Sequence, residues 1–277
     1  MAASLRERHR VTVHGGPDAP ALVLVHGYGA DQRMWRHLIP FLRDEYCVVT
    51  YDQAGAGGAD PAAYDPARHA SLQGYADDLL DICADLDLGK VVVVGHSIAA
   101  MIGVLAHLRA PDLVAGLVML APSPRFVDAP PYDSAFSREE AELVLEALSQ
   151  DFQRWARSAG PSFMGDAARP ELGRELTESM LAMDPGTAAA FARVTFLSDT
   201  RRHLSEVQCP ALVVHAIGDP LVPPSVAQYV QDEVPDCAYT EVEAPTHFPH
   251  VVAPEDTALA IRRFLERIRS FLARTSG

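Results

Sequence analysis

Short apolar runs, mostly β-branched, recur along the chain and are separated by stretches with helical spacing. The runs are Val11–Val13, Ala21–His26, Cys47–Tyr51, Val91–Gly95, Leu117–Leu120, Ala211–Ala216 and Ala238–Val242. Several lack a polar alternate, the pattern of strands covered on both faces. Between them Gly74–Leu86, Ala99–Arg109 and Glu255–Leu272 read as helices, the last burying Leu259, Phe264, Ile268 and Phe271. Strands alternating with helices predict an α/β fold: a mostly parallel central sheet with helices on both faces.

The alternation stops between Pro122 and Glu206. A Ser-x-x-Glu capping box at Ser137 and Glu140 starts one helix there. Others are expected near Asp151–Ser158, Pro170–Met183 and Gly186–Leu197. Four helices between two strands read as a cap over the carboxyl edge of the sheet, where open α/β sheets bind ligands. The alternative is that they only extend the core. The domain reading is a core of residues 1–121 and 207–277 with a helical cap of residues 122–206.

Of the 277 residues, 48% are apolar, enough for a sizeable core. The formal charge is −14 and Lys90 is the only lysine, so there is no basic stripe for nucleic acid. Cys47, Cys83, Cys209 and Cys237 are scattered with no CxxC pairing, which argues against a disulfide framework or a metal site and for buried free thiols in a reducing compartment. Met1–Arg10 has no apolar core of a signal peptide. No apolar run approaches the roughly 18 residues of a membrane span. The expectation is a cytoplasmic protein with no membrane partner, no metal and no cofactor.

The strongest local signal is Val91-Val-Val-Val-Gly-His-Ser-Ile-Ala-Ala100. A buried strand ends at Gly95 and a helix begins after Ser97, the strand–turn–helix context of a nucleophile elbow. Residues two before and two after the serine must be small, because strand and helix backbones nearly touch. Gly95 meets this, and Ala99 stands where glycine is usual. Alone, Ser97 could simply cap a helix. The Ala21–Val25 strand ends in His26-Gly-Tyr-Gly29, where an oxyanion loop belongs. The backbone N–H groups of Tyr28 and Ile98 are the candidate donors. A serine hydroxyl needs a base, and 11 histidines compete. His247 and His250 share the loop after the last strand. His247, nearer the strand end, is preferred, and His250 could be a packed loop residue. Asp219, in Gly-Asp-Pro after the Ala211–Ala216 strand, sits where a carboxylate can orient an imidazole, although such a sequence is also an ordinary turn. The order Ser, Asp, His is that of α/β hydrolases.

With these residues in place, the chain resembles the RsbQ-type α/β hydrolases, a group with a bacterial stress-signalling hydrolase and the plant strigolactone and karrikin receptors. The resemblance rests on His26-Gly-Tyr-Gly-Ala-Asp-Gln32 with Trp35, Tyr51-Asp-Gln-Ala-Gly55, Tyr75-Ala-Asp-Asp-Leu-Leu80, Gly95-His-Ser97 with Ile102-Gly-Val-Leu-Ala106, Ala121-Pro-Ser-Pro-Arg-Phe126 and the His247 loop. It covers nearly the whole chain. It implies a four-helix cap over a deep apolar pocket and slow hydrolysis of small esters or butenolide-type lactones, often tied to signalling. By position it puts Phe126, Phe136, Trp155 and Phe191 or Phe196 among candidates to line the pocket, with plain cap packing the alternative for each, and Tyr28 and Phe248 are further substrate-binding candidates. Ala159 lies where the plant receptors tend to have an aromatic, which could enlarge it.

Two functions therefore compete. One is a serine hydrolase of a small apolar ester or lactone. The other is a ligand sensor in which slow turnover accompanies a signalling partner at the cap. Carbon–carbon bond hydrolysis is a third use of the same residues. Dehalogenase and epoxide hydrolase chemistry is disfavoured, because their nucleophile is an aspartate.

Overall fold

A computed structural model describes residues 3–273. Seven strands form one sheet: β1 (Thr12–His14), β2 (Ala21–Val25), β3 (Cys47–Thr50), β4 (Val91–His96), β5 (Val114–Leu120), β6 (Ala211–Ala216) and β7 (Cys237–Val242). Their order is β1-β3-β2-β4-β5-β6-β7, with β1 antiparallel to β3 and all other pairs parallel. The seven strands fall on the seven apolar runs of the sequence, with small shifts at their ends.

The ten α-helices of the described residues are α1 (Leu5–Arg8), α2 (Leu72–Asp85), α3 (Ile98–Arg109), α4 (Arg138–Gln150), α5 (Phe152–Met164), α6 (Pro170–Leu181), α7 (Pro185–Leu197), α8 (Pro224–Glu233), α9 (Pro249–Val252) and α10 (Pro254–Ala273). Of these, α1, α8 and α9 were not foreseen from the apolar pattern. The unbroken apolar runs now have a cause. Val23, Val49, Val91 and Val93 face one buried cluster with α2 and α3, while Leu22, Leu24, Val48, Val92 and Val94 face a second with Trp35, Leu38 and α10. Successive residues point to opposite faces, and both faces are covered.

Among the described side chains of α10, Ala258, Ala260, Ile261, Phe264, Leu265 and Ile268 are the buried apolar ones, whereas Leu259 is 45% exposed. This corrects the expectation for Leu259, which lies about 140° from Phe264 around a helix of ~100° per residue. The Phe271 side chain lies outside the described residues. Cys47, Cys83 and Cys209 are buried free thiols, and Cys237 is only partly buried.

Two features of this fold position the site. The strand order reverses at β3-β2-β4, so the chain leaves β2 and β4 on either side of a switch point, where open α/β sheets bind ligands. Helices α4 to α7 all lie between β5 and β6, and the capping box at Ser137 and Glu140 is formed. No helix among the described residues is long and apolar enough to cross a membrane.

Candidate active site

Ser97 lies between the end of β4 and the start of α3 with φ +57° and ψ −126°. A non-glycine residue with positive φ is strained by on the order of 1–3 kcal/mol and persists only where its surroundings over-determine it. They do so here. The Ser97 amide donates to the Leu120 carbonyl at 2.8 Å. A Cβ on Gly95 would sit 2.5 Å from the Ala99 carbonyl oxygen and 2.6 Å from the Ala100 nitrogen, so only glycine lets strand and helix approach. The methyl of Ala99, where glycine is usual, is fully buried.

Three loops far apart in sequence meet at this turn. The Ser97 Oγ lies 2.8 Å from Nε2 of His247. The other ring nitrogen, Nδ1, lies 2.8 Å from Oδ2 of Asp219. A carboxylate only accepts, so Nδ1 carries the proton and Nε2 is free to accept from the serine. Asp219 Oδ1 accepts the amides of Leu221 at 2.7 Å and Val222 at 3.1 Å, which fixes the carboxylate before it meets the ring. The side chains of His247 and Asp219 are 4% and 0% exposed and Ser97 is 5% exposed, although Asp219 as a whole residue is half-buried. His250 does not reach Ser97 in this arrangement. It lies in α9, fully buried, with its ring 4.2 Å from that of Trp35.

The loop after β2 lies against the elbow, where a Cβ on Gly27 would come within 3.1 Å of Ser97 Cβ. Gln53 holds this loop: its amide donates to His26 Nε2 at 3.0 Å and its side chain donates to the His26 carbonyl. With Nε2 accepting, His26 Nδ1–H donates to the Gly27 carbonyl at 3.0 Å. Asp31 ties the loop to the inserted helices, accepting from Ser179 of α6 at 2.9 Å and from Arg33 at 2.7 Å. Burial opposes the Asp31 charge, but the hydrogen bonds from Arg33 and Ser179 outweigh it and hold its carboxyl below the usual range. The backbone amides of Tyr28 and Ile98 donate to no other described residue. Ile98 opens α3, whose first N–H groups have no intrahelical acceptor.

The aromatic candidates form separate groups. The Tyr28 ring meets Trp155 of α5 at 6.1 Å and Phe191 of α7 at 5.5 Å. Phe126 and Phe136 both meet Phe196, each at 5.6 Å. Phe248 packs on His96 at 4.5 Å and on His247 at 5.7 Å, so it belongs to the histidine cluster around His247. Ala159 is buried. Arg125 is satisfied structurally, bonding Asp199 at 2.8 Å and the Val127 carbonyl at 2.6 Å. The Tyr28 hydroxyl is buried without a partner among the described residues, and desolvation pushes it well above the ordinary phenol range. A cavity of about 920 Å³, bounded by Ala21, Cys47, Lys90 and Leu265, lies at the amino ends of the strands, away from Ser97. No group of three or more His, Cys, Asp or Glu among the described residues is placed to hold a metal ion.

With this geometry in view, a profile of the alpha/beta hydrolase family matches residues 22–260. The chain belongs to the α/β hydrolase family. It is 34% identical over 251 residues to karrikin insensitive 2 receptor IA of Petunia hybrida, covering 90% of this chain and 92% of that one. It is 34% identical over 247 residues to strigolactone esterase D14 of Arabidopsis thaliana, covering 89% and 92%. A solved hydrolase from Oleispira antarctica matches with a TM-score of 0.90 and 32% identity, covering 94% of this chain and 96% of that one. The hydrolase is thus related to the karrikin and strigolactone proteins, as its motifs implied. What the motifs did not flag are Gln53, Asp31 and His96. All three lie inside the stretches that carry the resemblance, but their bonding depends on loops that meet only in the fold.

Proposed function

We propose that this hydrolase cleaves small, largely apolar esters or lactones through Ser97, His247 and Asp219. The reading rests above all on Ser97 Oγ at 2.8 Å from His247 Nε2, with the opposite ring nitrogen 2.8 Å from Asp219. His247 takes the serine proton as Oγ attacks the carbonyl carbon, and Asp219 stabilises the imidazolium that forms. The N–H groups of Tyr28 and Ile98 hold the oxyanion, where donors are worth roughly 10²–10³ in turnover each. His247 then returns the proton to the leaving oxygen. Water, activated by the same imidazole, releases the acyl group. The cycle uses no cofactor and no metal.

Helices α4 to α7, residues 122–206 with their connections, act as the cap in this proposal. Tyr28, Trp155 and Phe191, with Phe126, Phe136 and Phe196, supply apolar surface that favours compact apolar groups at roughly 25 cal/mol per Å² buried. The test is to incubate wild type and Ser97→Ala with a panel of p-nitrophenyl esters and butenolides and to search by mass spectrometry for an acyl adduct on Ser97. An adduct on Ser97, lost in the variant, is expected. Turnover in a folded Ser97→Ala protein rejects the nucleophile.

A second reading is favoured by the receptor among the relatives: a ligand sensor whose slow turnover accompanies a signalling partner at the cap. Slow single-turnover kinetics with a long-lived adduct support this reading, and rapid multiple turnover supports the first. The four free thiols support a cytoplasmic setting in either case.

A further inference from the structure

We propose that His96 is a positioning residue for the base, holding the main chain of His247 through its ring Nε2–H so that the imidazole keeps its register with Ser97. This rests on the triad reading above and goes beyond it. His96 Nε2 lies 2.8 Å from the His247 carbonyl oxygen. A carbonyl cannot donate, so Nε2 carries a proton and donates it to that oxygen. The ring is 1% exposed and packed on three sides, with ring centroids 4.9 Å from His247, 4.5 Å from Phe248 and 4.8 Å from His250. The absence of a Cβ on Gly27 makes room for it, because such an atom would come within 3.0 Å of Nδ1. Burial, reinforced by repulsion from His250 and His247, keeps the ring neutral. A neutral ring keeps one tautomer and puts no second cation beside the imidazolium that His247 becomes during turnover.

The opposite side of the same residue is also held. The His247 amide donates to the Phe163 carbonyl at 3.1 Å. Phe163 is in the last turn of α5, where carbonyls have no intrahelical donor. Gly165, the left-handed C-cap of α5, nests against the base loop, since a Cβ there would meet the Pro245 carbonyl oxygen at 2.1 Å. The peptide groups on both sides of His247 are therefore fixed, one by the inserted helix and one by the residue next to the nucleophile. Asp219 fixes the ring. A displacement of about 1 Å at a reacting pair costs on the order of 10²-fold in rate, so the elbow that strains Ser97 also sets the distance to its base.

The experiment compares His96→Phe, which keeps an aromatic ring but no donor, with His96→Gln, whose amide can place a donor at the same atom. Three quantities are read: kcat, KM, and the rate at which a fluorophosphonate labels Ser97. In His96→Phe, kcat and the labelling rate are expected to fall together by roughly 10–100-fold, with KM within about threefold of wild type. His96→Gln recovers most of the loss. Wild-type rates in His96→Phe overturn the proposal, and so does a His96→Gln variant that melts like wild type yet is equally impaired. If His96→Phe does not fold, the nitrogen-15 chemical shifts of His96 in the wild type decide. A proton on Nδ1 alone overturns the proposal, and a proton on Nε2 supports it. A wild type that no fluorophosphonate labels removes the triad reading itself, whereas a reactive wild type with an unaffected His96→Phe removes only the role of His96.

Discussion

Ser97 keeps its positive φ because Gly95 lets the turn close and because its amide is bonded to Leu120 in the neighbouring strand. The hydroxyl is thereby presented to His247 on a different loop, and the two histidines of that loop have opposite surroundings. His247 has an acceptor at one nitrogen and a donor at the other, whereas both nitrogens of His250 are buried with no partner among the described residues. His247→Ala should therefore lower kcat by roughly 10⁴-fold or more. His250→Leu, which keeps the volume, should stay within about tenfold of wild type. Steady-state kinetics of the two purified variants check this, and a reversed ranking would move the base by three residues. Tyr28 gives a third expectation at this scale. Its hydroxyl has no partner among the described residues, so Tyr28→Phe loses no hydrogen bond seen there and should melt at or above the wild-type temperature, within about 1 kcal/mol. A large drop in melting temperature would mean that the hydroxyl is bonded in the folded protein.

At the scale of the element, the β4–turn–α3 unit depends on close backbone approach, and its two small residues are not equivalent. A methyl on Gly95 meets backbone atoms at 2.5 and 2.6 Å, which cannot move without shifting the strand or the helix. Gly95→Ala should cost about 3 kcal/mol or more and abolish turnover. Ala99 already carries its methyl in packed surroundings. Ala99→Gly should keep activity and lose about 0.5–1 kcal/mol through the greater chain entropy of glycine in a helix. Urea unfolding with parallel activity assays separates the two, and equal effects would show that the elbow is less tightly built than its distances imply. Gly165 plays a comparable part at the end of α5, where it lets that helix reach the loop before His247.

At the scale of the whole molecule, acid stability should depend on groups buried in their neutral form. His250 is pushed down to about 3 from its ordinary 6.5, by burial first and then by repulsion from His247 and His37. Its folded value lies below its unfolded one, so the unfolded chain binds the extra proton. The stability associated with neutral His250 is fully present above pH 6.5 and is lost as the pH falls towards 3. In His250→Leu this part of the acid limb should flatten: relative to wild type, its urea midpoint should rise as the pH is lowered from 7 to 4. A difference independent of pH would show that His250 is not buried neutral. The fold as a whole was legible because its signals are local. Each strand declared itself by an apolar run, each inserted helix by its spacing or cap, and the elbow by small residues where a strand meets a helix. The loops that carry Ser97, Asp219 and His247 could be placed for the same reason, since each directly follows a strand. Leu259 shows the limit of that reading: apolar character put it in the core, but the phase of α10 leaves it exposed. Only the tertiary structure decided which histidine meets Ser97, that His96 bonds the His247 carbonyl 151 residues away, that Ser179 reaches Asp31, and which aromatic rings touch. Such contacts depend on strand order and register and on how helices settle across loops, and neither periodicity nor turn chemistry encodes a distance between residues so far apart in the chain.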